Sequence, residues 1–406
     1  MSKQLTDAVT LRHGATLKNR IVMPPMLTMS GLPGGYASED TIKYYQARSQ
    51  AAGMMIAEYH YVSEEGGPCS PIGYPEQLSI KDDDHIESIH QIAQALKKDG
   101  GKAILQIHHG GREAACRAEQ GKDVFAPSAI DFSFLDYQVR ELTDDDIKRI
   151  IKDFGRAAKR AIDAGFDGVE IHGANHYLLQ QFFSKISNHR SDHWGGSLEK
   201  RMNFPLAVVK EVKRVVEAYA PKDFIVGYRI SPEEIHGDAV GYTYEEARQL
   251  IAQVVKYELD YIHLSIWGGQ GFHAKPKGLD KAYGPLFKEV LDDETKLIVV
   301  GNVFSQEAAQ EAIDHYTDLV GVGRGILIDP EFAHKIDMGK GDSIVHEISP
   351  EQLKKVAWTP GLLEAFTRED SLGLPPIPNA QSIRQFHTGQ FGDRTIGGSA
   401  TSGTDE

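Results

Sequence analysis

The stretch Gly168-Val169-Glu170-Ile171-His172-Gly173-Ala174-Asn175-His176-Tyr177-Leu178-Leu179-Gln180-Gln181-Phe182-Phe183-Ser184 decides how the rest of this chain is read. Val169 and Ile171 make a short apolar strand, and His172, Asn175 and Tyr177 follow at or just beyond its C-terminal end. An imidazole, an amide and a phenol gathered there can hold a carbonyl oxygen with two donors and supply a proton from a third group. A packed core has no use for three such groups at one strand end. The stretch reads as part of an active site built where a strand stops.

Strand-like runs of the same kind recur on both sides of it, over Arg20–Pro24, Met54–Glu58, Ala103–Ile107, Phe224–Ile230, Tyr261–Ser265, Leu297–Gly301 and Leu319–Gly323. Their interiors are nearly continuous Val, Ile, Leu and Met, the pattern of parallel strands buried on both faces. Helices with legible starts lie between them. Thr143 precedes three acids and an amphipathic run through Ile147, Ile150, Ile151 and Phe154 that Gly165 stops. Thr243 and Glu246 form a capping box, and Ser305 can cap the segment carrying Ala309 and Ile313. Strands alternating with helices through parallel crossovers predict an α/β fold, a (β/α)₈ TIM barrel, over residues 1–338. Residues 108–141, Gly-rich and polar, are expected to make an excursion over the barrel mouth. Residues 339–390, with Pro375, Pro376 and Pro378, are expected to form a C-terminal extension, and 391–406 a disordered tail.

Composition narrows the function. The chain has 406 residues, 41% hydrophobic and 25% charged, and 58 acidic against 44 basic residues give a formal charge of -14. That balance argues against nucleic acid or an anionic membrane surface as partner. Two cysteines, Cys69 and Cys116, cannot build a disulfide framework or an iron–sulfur site. The N-terminus lacks the apolar run of a signal peptide, and no window approaches the roughly 20 apolar residues of a membrane span. A cytoplasmic enzyme acting on a small molecule is expected, with a homo-oligomer left open.

Barrel chemistry sits at the C-terminal ends of the strands. The polar residues there are Gln106, His172, Asn175, Tyr177, Arg229, Asn302 and Arg324. No pair of carboxylates or His–carboxylate cluster points to a metal, and no lysine stands as a Schiff-base candidate. Donors without a nucleophile point to a bound cofactor that carries the electrons. Val299-Val300-Gly301-Asn302 and Val320-Gly321-Val322-Gly323-Arg324-Gly325 put glycines and a guanidinium where barrels commonly bind phosphate. The spacing of Gly325 excludes the dinucleotide fingerprint.

His172–Phe183 together with Ser187-Asn188-His189-Arg190-Ser191-Asp192-His193-Trp194-Gly195-Gly196-Ser197-Leu198-Glu199-Lys200-Arg201 resembles the old yellow enzymes, FMN-dependent reductases that consume NADH or NADPH. The resemblance runs from Leu11 to about Phe332, through Asn19–Met26, Leu105–Arg112, Gly227–Pro232 and Gly321–Pro330. It implies that Pro24, Pro25, Met26, Leu27 and Tyr59 line the flavin and that Gln106 bonds its pyrimidine half. It implies that Arg229 stabilises negative charge on the ring and that Gly301, Asn302, Gly323 and Arg324 hold the phosphate. His172 and Asn175 would grip a substrate carbonyl oxygen, and Tyr177 would protonate the α-carbon of an activated alkene as hydride from the flavin reaches the β-carbon. An ene-reductase on α,β-unsaturated carbonyl compounds is the implied activity. An FMN-dependent dehydrogenase or demethylase, a quinone or nitro reductase, and a flavin-binding barrel without turnover are the alternatives.

Two positions depart from the family pattern. Leu27 stands where Cys or Thr is common, and Tyr59 where Ala or Gly is common, so that Tyr59 must turn away or the packing must differ. Beyond the site, His108 reads as structural and His109 as lying at the pocket edge. His176 and His189 read as loop residues, and Arg190 with Asp192 as a structural ion pair. Trp267 is equally suited to a pocket wall and to a turn.

Overall fold

In the computed structural model, which describes residues 3–70 and 73–391, each of the eight sequence runs becomes one strand of a closed parallel barrel. The strands are β1 (Ile21–Met23), β2 (Met54–Tyr61), β3 (Lys102–His108), β4 (Gly168–Gly173), β5 (Ile225–Ile230), β6 (Tyr261–Leu264), β7 (Lys296–Val300) and β8 (Leu319–Gly321). Each pairs with its sequence neighbours, and β8 closes on β1 through Val320↔Ile21 and Gly321↔Val22. Each strand is followed by at least one helix, and those named here are α1 (Glu39–Ala47), α2 (Ile86–Lys97), α3 (Asp144–Asp163), α4 (Asn203–Tyr219), α5 (Tyr244–Val254), α6 (Tyr283–Lys288), α7 (Gln306–His315) and α8 (Arg324–Ile328). This is the (β/α)₈ barrel that the periodicity implied.

The caps explain where the helices begin. Thr143 accepts from Asp146 N and Thr243 from Glu246 N, each in a reciprocal box, and Ser305 accepts from Ala308 N. Each cap satisfies an end N–H that the helix itself cannot. The α3 face with Ile147, Ile150, Phe154 and Ala158 is buried against the sheet and α4.

The barrel has a closed bottom and an open, polar mouth. A hairpin pairing Val9–Thr10 with Thr16–Leu17 sends Val9, Leu11, Ala15 and Leu17 into one cluster with Val22, Met54, Ile56, Ile104, Ile225, Tyr261, Ile298 and Leu319. Gly227 makes room there, because a Cβ on it would lie 2.1 Å from the Tyr261 ring. Chemistry is thereby confined to the other end, where the strands finish.

The 108–141 segment is ordered by its own pairing of Val124–Ala126 with Val139–Glu141. The segment after residue 339 folds back on its own barrel. Arg48, fully buried, donates to Val356 O at 2.9 Å, Trp358 Nε1 donates to Leu327 O at 2.9 Å, and Thr359 donates to Thr28 O. Gly361 is required at this contact, since a Cβ would stand 2.1 Å from Met29 O. The tail expected over 391–406 lies outside the described residues apart from Phe391. Among the described residues no helix is long and apolar enough to cross a membrane.

Candidate active site

Three layers of polar side chains rise through the barrel towards its mouth. The lowest spans β3, β4 and β6, where parallel register sets Gln106 beside Glu170 and His263 beside Arg229. Glu170 and His263, both fully buried, meet at 2.8 Å, and Gln106 Nε2 donates to Glu170 at 2.6 Å. Burial pushes the Glu170 carboxyl up, but His263, Arg229 and Gln106 outweigh it and leave it below the usual carboxylate value. Burial holds His263 below its ordinary value despite Glu170. The pair is therefore a carboxylate accepting N–H from a neutral imidazole. Glu170 was not singled out in the sequence, although a charge alternating with Val169 and Ile171 points into the barrel by the period of a strand.

This layer fixes what the next one offers. With Gln106 Nε2 committed to Glu170, the buried Gln106 Oε1 has no partner, and neither has the buried Arg229 Nε. One is an acceptor and the other a donor. An isoalloxazine edge, with alternating ring N–H and carbonyl groups, has the complementary pattern, so the residues present fit the pyrimidine half of FMN. Burial depresses the Arg229 pKa, with Glu170 working against it.

The third layer is the one the opening stretch delivers. The rings of His172 and Tyr177 lie 5.1 Å apart at 72°, and those of His108 and Tyr177 4.3 Å apart at 86°. His172 Nδ1 accepts from Ala174 N at 3.4 Å, which leaves the proton on Nε2, buried and without a partner. Burial, with help from His108 and Arg229, pushes His172 well below the ordinary imidazole pKa. It is a neutral donor. Asn175 and His176 both occupy the left-handed region, with φ of 57° and 64°. Asn175 Oδ1 accepts from Ser265 Oγ at 2.7 Å and from Trp267 Nε1 at 2.9 Å, so its Nδ2 group is left as the donor. Trp267 thus does more than turn the chain: it fixes which way the Asn175 amide faces.

Tyr59 does not turn away. The pairing of β2 with β3 slips between Ala57 and His60, and this irregularity rotates Tyr59 into the cluster. Its ring lies 4.5 Å from His108, 5.8 Å from His172 and 5.3 Å from Tyr177, and Tyr177 O–H donates to Tyr59 Oη at 3.1 Å. Burial raises both phenol pKa values. The resemblance assigned Tyr59 to the flavin; the fold puts its side chain with the candidate proton donor. Beside it, Glu58 is buried and accepts from Thr28 N, Thr28 Oγ1 and Tyr45 O–H. Burial outweighs those three donors and raises its pKa to about 7. Leu27 packs against Met29, Tyr74, Ala365 and Leu372, and with Glu58 and Tyr59 lines a small pocket.

The candidate phosphate residues also converge. Arg324 Nη2 donates to Asn302 Oδ1 at 2.5 Å and Nη1 to Pro376 O at 2.7 Å, so the C-terminal extension reaches this corner. Gly301 has φ of 122° and a Cβ there would strike Gly271, so backbone packing alone requires glycine. Gly323 is different. Its φ of -89° is not in the left-handed region, and a Cβ would find only Pro24 Cγ at 3.4 Å and Met26 Sδ at 3.5 Å. Close approach of a ligand to the backbone accounts for a glycine that packing does not demand, which fits a phosphate at this point. Pro24, Pro25 and Met26 follow β1 directly and so face the same corner.

His109, buried, accepts at Nδ1 from Gly111 N, and Arg190 pairs with Asp192 at 2.6 Å as read from the sequence. Cys69 and Cys116 are free and buried, and Cys69 Sγ lies 3.6 Å from His108 Nε2.

Comparison with known proteins gives the same direction. The model of the NADH:flavin oxidoreductase / NADH oxidase family matches residues 7–343. The chain is 39% identical over 342 residues to a probable NADH-dependent flavin oxidoreductase of Bacillus subtilis (strain 168), covering 84% of this chain and 90% of that protein. It is 38% identical over 337 residues to an NADH:acrylate oxidoreductase of Vibrio harveyi, covering 82% of this chain but only 33% of that longer protein. A solved old yellow enzyme homologue from Zymomonas mobilis superposes with a TM-score of 0.72 at 25% identity, over 88% of this chain and 99% of that one.

Proposed function

This chain belongs to the NADH:flavin oxidoreductase / NADH oxidase family, the old yellow enzymes, and from that membership we propose that it reduces the C=C bond of α,β-unsaturated carbonyl compounds. It is a pyridine-nucleotide-dependent flavin oxidoreductase with FMN as cofactor and NADH or NADPH as electron donor. FMN held there would supply the hydride chemistry, with NADH or NADPH as the source of the electrons.

The observation that carries the reading is a set of proton-bearing groups at one strand end: the His172 and Tyr177 rings 5.1 Å apart, His172 Nε2 without a partner, and an Asn175 amide whose Oδ1 is already committed. His172 and Asn175 donate to the substrate's carbonyl oxygen. Both are neutral or held neutral, so they stabilise the charge growing on that oxygen during reduction without an ion already bound there. His172 cannot give up a proton easily as imidazole, which keeps it a donor and leaves protonation to Tyr177. Tyr177 hands its proton to the α-carbon, and Tyr59 O–H turns to stabilise the phenolate that results. Gln106 and Arg229 hold the pyrimidine edge of the flavin, Glu170 and His263 orient them from below, and Gly301, Asn302, Gly323 and Arg324 take the phosphate. The Vibrio harveyi relative, an NADH:acrylate oxidoreductase of which this chain spans 33% of the length, has a name in keeping with an activated alkene as substrate class.

The test is an anaerobic absorbance titration of the purified protein with NADH or NADPH, followed by cyclohexenone. Flavin bands that bleach with the nucleotide and return with the enone support the reading. Bleaching without return would move the substrate away from simple enones. Tyr177→Phe is expected to slow the return by on the order of 10²- to 10⁴-fold, the usual contribution of a general acid, and to leave bleaching intact.

A further inference from the structure

We propose that His176, Glu234 and His236 form a site at the rim of the barrel mouth for one divalent ion of the zinc, cobalt and nickel group. One ligand atom from each residue lies within 4.8 Å of the others. Glu234 and His236 are two apart on one strand of the hairpin pairing Glu234–His236 with Ala239–Tyr242, where the register shifts between Glu234 and Ile235 and the ligand atoms of both still come together. Their facing atoms, Glu234 Oε1 and His236 Nε2, are 3.8 Å apart. His176 approaches from the loop after β4, its ring centroid 5.3 Å from that of His236.

The atoms that a metal would use are unspent. Among the described residues no hydrogen bond reaches a ring nitrogen of His176 or His236. Glu234, 3% exposed, gives one oxygen to Gln180 Nε2 at 3.0 Å and keeps the other for the cluster. The same Gln180 accepts at Oε1 from His176 N at 3.1 Å. One amide therefore orients the carboxylate and the His176 backbone together, which is the outer-sphere support that metal ligands usually have. Two imidazoles and one carboxylate favour zinc-like ions over magnesium or calcium, and three protein ligands leave a position for water.

Zinc bond lengths near 2 Å set donors roughly 3.4 Å apart in a tetrahedron, so the widest gap must close by about 1.4 Å. His236 is exposed, so its side chain has room to turn towards the other two ligands. His176 sits between Asn175 and Tyr177, so the ion would tie the backbone of both to the hairpin after β5. Displacing aligned groups by about 1 Å slows chemistry strongly. Zinc is therefore expected to inhibit enone reduction and to leave reduction of FMN by NADH or NADPH unchanged.

The test uses the FMN-loaded protein, stripped with chelator and titrated calorimetrically with Zn²⁺. One ion per chain is expected, with binding at least tenfold weaker in His236→Ala and in Glu234→Gln, and unchanged in His189→Ala. Cobalt should give d–d bands to the red of the flavin absorption, absent in His236→Ala. Retained flavin colour in the variants shows that they fold. No binding, or equal binding by wild type and His236→Ala, would overturn the site whether or not the protein reduces enones.

Discussion

Replacing Tyr59 by Phe isolates one hydroxyl in the cluster. The ring, and with it the contacts to His108 at 4.5 Å and His172 at 5.8 Å, is kept, and only the bond to Tyr177 at 3.1 Å is lost. Before protonation of the substrate this bond joins two neutral phenols and contributes about 1 kcal/mol net. Tyr177 breaks it when its proton turns to the α-carbon, and Tyr59 then donates to a developing phenolate, a bond worth about 1.5–3 kcal/mol. Only the difference accelerates the step, about 0.5–2 kcal/mol. At about 1.4 kcal/mol per factor of ten, Tyr59→Phe should slow alkene reduction roughly 2- to 30-fold. The assay is anaerobic stopped flow on the flavin absorbance, with reduction by NADH or NADPH and reoxidation by enone followed separately. Reoxidation alone should slow. Wild-type reoxidation in the variant would refute the phenol pair, and equal slowing of both half-reactions would mean that Tyr59 instead holds the flavin.

Other perturbations read other parts of the site. Glu58 titrates near 7 in the folded protein against 4.5 as its ordinary value. The native state thus binds the extra proton between those values, and stability falls as pH rises through that window; the loss is about 3 kcal/mol. Urea unfolding of Glu58→Gln should lack this fall, and an identical pH slope in both proteins would rule it out. His172 lies well below the imidazole range, so the pH profile of enone reduction between about pH 5 and 8 should show no limb from its protonation. A limb that disappears in His172→Asn would contradict this. Arg324→Ala removes a charge-assisted contact of about 1.5–3 kcal/mol, so fluorescence titration should show FMN affinity falling on the order of 10- to 100-fold. Unchanged affinity would take Arg324 out of the phosphate site. Trp267→Phe frees one lone pair of Asn175 Oδ1 and should raise KM for enone by up to about tenfold without altering flavin reduction.

The barrel was legible in the sequence because its signal is local. Buried parallel strands need unbroken apolar runs, and helix starts need caps such as Thr143, Thr243 and Ser305, so each element announces itself within a few residues. His172, Asn175 and Tyr177 were legible for the same reason: a strand end must be polar in this pattern only where chemistry is done. Barrel closure and the rule that sites lie beyond the strand ends then gathered Gln106, Arg229, Asn302 and Arg324 without any contact being known.

Contacts between distant segments could not be read that way. Side-chain direction at Tyr59 depends on an irregularity in the pairing of β2 with β3, a property of two strands and of neither alone. The orientation of the Asn175 amide is set by Ser265 and Trp267, about 90 residues away, and the Glu170–His263 pair spans 93. His176 looked like a loop histidine because the residues it faces, Glu234 and His236, arrive on a hairpin after the next strand. Periodicity and caps report interactions between residues close in the chain, where backbone geometry fixes who meets whom. Hydrogen-bond partners across the barrel mouth are chosen by register, bulges and loop paths, and these exist only once the barrel has closed.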